Sequence, residues 1–168
     1  MRRPFPHYHQ LDSADCGPTC LRMIARHYGR SYTLETLRER SFITREGVSM
    51  LGISDAAESI GMRTMGVKIS VEQLANEAVL PCILHWNQNH FVVLYYKVSK
   101  RRGGKYVFHI ADPATQKVAF RQEELEKCWL AKKEGNRDVG MALLLEPGPE
   151  FMEYEDEKRS ARRDLFFY

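Results

Sequence analysis

Leu21, Ile24, Ala25 and Tyr28 recur at helical spacing, with Asp15 expected to cap the helix at its start and Gly29 to end it. Pro18 is compatible with this helix only in its first turn, where a missing N–H costs nothing. A Ser31-Tyr32-Thr33 start predicts a second short helix over 34–40, and a third is expected over 49–60, closed by Gly61. The period then changes. Residues 63–69 alternate like a strand, and 71–77 predict one more short helix. Residues 79–86 and 90–98 are apolar runs rich in β-branched and aromatic side chains, with Trp86-Asn87-Gln88-Asn89 as the turn between them. Residues 106–110 and 117–120 predict a further antiparallel pair around Asp112-Pro113-Ala114-Thr115. A helix over 122–130 and a strand over 141–145 complete the pattern. Helices first and an antiparallel sheet afterwards is an α+β arrangement.

The 168 residues are enough for one domain with a real core. Beyond Glu146 the character shifts: Pro147-Gly148-Pro149 breaks regular structure, 150–163 is dense in charge, and the chain closes on Leu165-Phe166-Phe167-Tyr168. Residues 1–146 are therefore expected to form the domain. Residues 147–168 read as a charged linker, as in a piece of a longer protein. No internal repeat or low-complexity segment interrupts it. A hydrophobic fraction of 43% and a charged fraction of 28% are ordinary for a globular chain. The net charge of +3 is small, and the basic residues are scattered, so nucleic acid is not an expected partner. No apolar stretch follows the N-terminal arginines, so no secretory signal is expected, and no window suits a membrane-spanning helix.

Four cysteines at 16, 20, 82 and 128 form neither a CxxC pair nor a dense disulfide framework. They fit a reducing compartment, where a well-placed thiol is more often chemical than structural. Cys16 stands at the start of the first helix, where the helix dipole and unpaired N–H groups favour a thiolate. Cysteine is also a common buried residue with no chemistry, the reading that suits Cys20, Cys82 and Cys128. His90 opens an apolar strand straight after a polar turn and can present its ring to a cleft. His85, beside Trp86, is a rival base but is expected to pack. His27 reads as a solvated helix residue and His109 as a strand residue. His7 and His9 make a weak His-x-His metal pattern with no acidic or thiol partner nearby, so no metal site is expected. Asp112, 22 positions after His90, falls at the end of the next strand, where antiparallel pairing brings the two side chains together. An orienting carboxylate is what a nucleophile–histidine pair needs to fix the imidazole tautomer, although Asp-Pro is also an ordinary turn opener. Gln10, six residues ahead of Cys16, can reach back with its amide. With the Cys16 N–H it would make an oxyanion hole.

The segment from Gln10 through Asp15-Cys16-Gly17-Pro18 to Ile24 resembles the nucleophile motif of bacteriocin-processing, double-glycine-leader cysteine peptidases. These are the N-terminal domains of peptidase-containing ABC transporters. The segment Leu80-Pro81-Cys82-Ile83-Leu84-His85-Trp86-Asn87-Gln88-Asn89-His90 and the apolar run after it resemble the family's histidine motif, and Asp112-Pro113 its aspartate motif. The likeness spans 5–145, with the three motifs in the same order and at similar separations. It implies a papain-like fold with Cys16 as nucleophile, His90 as base, Asp112 as orienting carboxylate and Gln10 as oxyanion donor. It also implies cleavage of a leader peptide after Gly-Gly, with no cofactor, at the cytoplasmic face of the bacterial cell membrane. The partners would be a leader-containing precursor peptide and the transmembrane and ATP-binding domains of the same transporter. Residues 147–168 would then lead towards the transmembrane domain. Pro18 and Thr19 stand where small residues are also common in the family, a departure that touches no catalytic position. No GxxxxGK[ST] loop occurs here, so ATP binding would lie elsewhere.

Two other readings are compatible with parts of this pattern. Related domains of some toxin exporters lack the cysteine and only bind cargo, and transglutaminase-type acyl transferases use the same three residue types. The cysteine, histidine and aspartate argue against the first. The Gln10-to-Cys16 motif and the small domain argue against the second.

Overall fold

In the computed structural model, residues 3–98, 104–130 and 138–151 are described. The first helix, α1 (Cys16–His27), follows a 3-10 turn (Ser13–Asp15) and ends where Gly29 turns left-handed at φ +92°. The Gly29 and Arg30 N–H groups cap its last carbonyls, those of Arg26 and Ala25. Helices α2 (Leu34–Arg40) and α3 (Met50–Ser59) are opened by the hydroxyls of Thr33 and Ser49, each accepting a first-turn N–H. Helix α4 (Val71–Asn76) starts on a capping box between Ser70 and Gln73. Helix α5 (Gln122–Trp129) packs late against the sheet.

The strands are β1 (Met62–Ile69), β2 (Cys82–Trp86), β3 (His90–Val98), β4 (Val107–Ala111), β5 (Lys117–Arg121) and β6 (Gly140–Pro147). They form one antiparallel sheet in the order β1-β6-β2-β3-β4-β5. Alternation along β2 and β3 sorts side chains to two faces. Ile83, Phe91 and Val93 join the core built with α1, α2 and α3, whereas Cys82, Leu84, Val92 and Leu94 join the core built with α4 and α5. The sheet is thus the middle layer of an α+β, papain-like arrangement.

Several element bounds differ from expectation, three of them for identifiable local reasons. Strand β2 starts at Cys82, not at 79, because Pro81 has no N–H to give to a ladder. Strand β4 starts after Tyr106, whose N–H goes to the Gln122 side chain. Strand β6 is longer than expected because it pairs with β1 along its whole length, from Met62↔Pro147 to Ile69↔Gly140.

The packed body also continues past Glu146. The Gly148 N–H donates to the Gly61 carbonyl at 3.0 Å, and Phe151 is fully buried beside Tyr28 and Arg30. The charged remainder of the expected linker lies outside the described residues. Among the described residues, no helix is long and apolar enough to cross a membrane.

Candidate active site

Strand β3 begins and β4 ends at the same end of the sheet, since the two are antiparallel neighbours. His90 is the first residue of β3, and Asp112 follows the last residue of β4. Their side chains meet there: His90 Nε2 lies 2.7 Å from Asp112 Oδ1, each side chain 20% exposed. The carboxylate is itself held, because the Ala114 N–H donates to Oδ1 at 2.9 Å. The turn ahead of His90 is fixed from outside. Asn87 and Gln88 are left-handed, and the Asn87 N–H donates to the Cys128 carbonyl at the end of α5.

Helix α1 packs across β3 and brings Cys16 to the same place. Cys16 stands close enough to His90 to favour its charged ring. Since Nε2 is committed to Asp112, the ring nitrogen left for the thiol is Nδ1. One turn along, the Cys20 thiol donates to the Phe91 carbonyl at 3.3 Å, which ties α1 to β3 right beside His90. The close approach of α1 to α3 requires Gly17, where a Cβ would lie 2.9 Å from two carbons of Ile53.

The electrostatics follow from this packing. Burial pushes the His90 pKa down, but the hydrogen bond to Asp112 and then the nearby Cys16 outweigh it and raise the value to about 9. Burial also pushes Asp112 up. The hydrogen bonds from His90 and from the Ala114 N–H more than offset it, leaving the carboxyl below its ordinary value. At neutral pH the pair is therefore imidazolium and carboxylate. Burial raises Cys20 well above the ordinary range, pushes Cys82 up to about 12, and raises Cys128.

Gln10 reaches this end of the sheet through its backbone, its N–H donating to the Pro113 carbonyl at 2.8 Å. Its side-chain Oε1 is buried and has no hydrogen-bond partner among the described residues.

Asp15 does not do what its position suggested. It occupies the N-cap position of α1 but makes no side-chain cap bond. The carboxylate is fully buried, with Arg38 Nε of α2 3.0 Å from Oδ1, and Asp12 caps the preceding 3-10 turn instead. His85 packs on Phe91, their rings 5.1 Å apart. His27 is exposed, with its ring against Phe5 and Tyr28. His7 and His9 meet edge to face at 4.8 Å, and His7 Nε2 is engaged by the Asp112 carbonyl. The sequence reading placed neither that contact nor Arg38. Both join segments far apart in the chain, and no local pattern marks such a contact.

A thiol, a charged imidazole and a carboxylate thus stand together at one end of the sheet. Residues 4–133 match the family model described as Peptidase C39 family. The chain is 35% identical over 164 residues, 98% of its length, to the probable microcin-H47 secretion/processing ATP-binding protein MchF of Escherichia coli. It spans only 21% of that protein. A double glycine motif protease from an AMS/PCAT transporter, crystallised with the leader peptide, superposes with a TM-score of 0.71 at 30% identity, covering 84% of this chain and 91% of that one. The peptidase domain of Streptococcus ComA, a bi-functional ABC transporter of a quorum-sensing pathway, superposes with a TM-score of 0.68 at 26% identity, covering 86% and 99%. With the family model matching most of the chain, this protein belongs to the peptidase C39 family.

Proposed function

We propose that this chain is a cysteine endopeptidase that cuts leader peptides after a Gly-Gly pair, as one domain of an ABC exporter of bacteriocin-like peptides. The observation that carries the proposal is the hydrogen-bonded pair His90–Asp112 at one end of the sheet, with Cys16 at the start of α1 beside it. A relative named for microcin secretion and processing and a solved protease holding a leader peptide support the substrate class.

In this reading the Cys16 thiolate attacks the carbonyl carbon of the second glycine, and the His90 imidazolium supplies its counter-charge. The carbonyl oxygen takes the electron pair and is met by the Gln10 amide and the Cys16 N–H. His90 then gives its proton to the departing amine, the C–N bond breaks, and a thioester remains. Water, losing a proton to neutral His90, attacks the thioester. The C–S bond breaks, which releases the leader as a free acid and restores the thiolate beside the His90 imidazolium. Asp112 holds the ring in the tautomer that faces the thiol through Nδ1 and stabilises its charged form. None of these steps calls on a metal or an organic cofactor. The charged segment after the domain would lead to the transmembrane domain, with the peptidase at the cytoplasmic face of the bacterial cell membrane.

Mass spectrometry of a synthetic leader peptide with a Gly-Gly pair, incubated with the chain, tests this. The expected result is a single new carboxyl terminus after the second glycine. A peptide that binds and stays whole would favour a cargo adapter. A glutamine modified on an intact backbone would favour a transglutaminase-type transferase.

A further inference from the structure

The segment ahead of the nucleophile lies along the β4–β5 hairpin, held by three hydrogen bonds that form a series. Lys117 Nζ donates to the Phe5 carbonyl at 3.0 Å, His7 Nε2 lies 2.7 Å from the Asp112 carbonyl oxygen, and the Gln10 N–H donates to the Pro113 carbonyl at 2.8 Å. The middle bond has a fixed sense. A carbonyl oxygen only accepts, so His7 carries its proton on Nε2 in this contact, whether the ring is neutral or charged. The other side of the segment is pinned as well. Phe5 is buried and stacks on Tyr95 of β3, ring centroids 4.7 Å apart and 8° from parallel, and the Arg22 guanidinium of α1 covers the Tyr8 ring at 4.0 Å. Between these two anchors, His7 is the side chain that reaches the residue orienting His90.

We propose that His7 is a positioning residue of this peptidase, which joins Asp112 and Gln10 into one rigid unit through its hydrogen bond to the Asp112 backbone. This rests on the roles proposed above for Asp112 and Gln10. The Asp112 carbonyl accepts from both His7 Nε2 and the Thr115 N–H, so the turn after β4 is held from within by Thr115 and from the N-terminal segment by His7. The Gln10 N–H bond to Pro113 is one residue further along the same turn. Without the His7 bond, the single bond from the Gln10 N–H to Pro113 would be left to hold Gln10 in register with Asp112. Asp112 sets the ring of His90 and Gln10 receives the developing oxyanion, so errors in either fall on the transition state and leave ground-state binding in place.

The test compares His7→Leu, His7→Gln and His7→Asn in the 168-residue chain, assayed on a fluorogenic peptide with a Gly-Gly pair before the leaving group. A Gln amide nitrogen can stand near the place of imidazole Nε2, whereas the shorter Asn amide cannot. His7→Leu and His7→Asn are expected to lower kcat by about tenfold to 10²-fold, the scale of a misplacement of the reacting groups, with KM within about twofold. His7→Gln is expected to recover most of the loss. In a Gln10→Ala background the His7→Leu loss should shrink, since two residues acting through one unit do not multiply their effects. Equal kcat for the Leu, Asn and Gln variants and the wild type would overturn the proposal, and so would full multiplication with Gln10→Ala. A common loss in all three variants together with a lowered melting temperature would also overturn it, assigning His7 to stability alone. The failure of the underlying reading looks different: cleavage would then persist in Cys16→Ala, or Gln10→Ala would have no effect, whatever His7 does.

Discussion

His90 and Asp112 meet at 2.7 Å at the end of the sheet, and the contact leaves the imidazole with a pKa of about 9 despite its burial. A folded-state value above the ordinary 6.5 means that folding favours the protonated ring. The stability it contributes is fully present below about pH 6.5 and is lost as pH rises through about 9. Asp112 has the opposite sign, its lowered value contributing stability that is lost in acid. Histidine proton chemical shifts against pH should therefore place the His90 transition near 9. In Asp112→Asn the neutral amide no longer favours the cation, burial dominates, and the transition should move down. In Cys16→Ala it should also move down, since the support Cys16 gives the charged ring is gone. An unchanged midpoint in Asp112→Asn would show that some other group holds the ring charged.

Cys16→Ala should abolish cleavage and leave the melting temperature close to that of the wild type, because no neighbouring group can replace the thiolate as nucleophile. The remaining thiols should not compensate. Cys20 and Cys82 are fully buried with raised pKa values, and Cys20 already spends its proton on the Phe91 carbonyl. Mild alkylation at neutral pH followed by peptide mapping should label Cys16 first. Prior labelling of Cys128, which is partly exposed, would contradict the assignment.

Gln10→Ala should lower kcat by about 10²-fold to 10³-fold, the usual loss for one oxyanion donor. KM should change much less, because the amide meets charge that exists only in the transition state. The buried Gln10 Oε1 has no partner among the described residues, so truncation removes no structural bond of that atom. A small change in melting temperature is expected for the same reason. Activity within about twofold of wild type would reduce Gln10 to a backbone link to Pro113.

The order of elements and the residues at the end of the sheet were legible in the sequence because each carries a local signal. His90 follows a polar turn into an apolar run, and Asp112 precedes a proline at the end of another, so antiparallel pairing alone brings them together. Asp15 was not legible. Its type and position fit an N-cap, but α2 brings Arg38 within 3.0 Å of the carboxylate, and a buried charge needs that partner more than the helix needs the cap. The same limit hid His7, read only as half of a weak metal pair. Its partner is a backbone carbonyl 105 residues away. Backbone carbonyls leave no trace in residue type.

Phe151 lies beyond a Pro-Gly-Pro break that reads as the end of a domain, yet it is buried in the core. The return is possible because of Gly61, which is left-handed at φ +92° and so close to the returning chain that a Cβ would lie 2.3 Å from the Phe151 nitrogen. Its carbonyl also receives the Gly148 N–H. The ring sits edge-on to Tyr28 at 6.5 Å between centroids, with the Arg30 guanidinium 5.5 Å from its centre. Phe151→Ala should therefore cost about 3 to 5 kcal/mol, the range for emptying a buried phenylalanine site. For a chain of this size that is a fall in melting temperature of roughly 6 to 20 °C. Gly61→Ala should destabilise by a separate route, through both the left-handed φ and the collision with residue 151. Ending the chain at Glu146 should cost at least as much as Phe151→Ala, since it removes the ring and the Gly148 bond together. If thermal unfolding showed the truncated chain as stable as the intact one, the domain would end at Glu146 and the contacts of Phe151 would contribute nothing. A loss in both, with kcat on a Gly-Gly peptide unchanged below the unfolding transition, would make the segment after β6 a structural part of the peptidase remote from its chemistry.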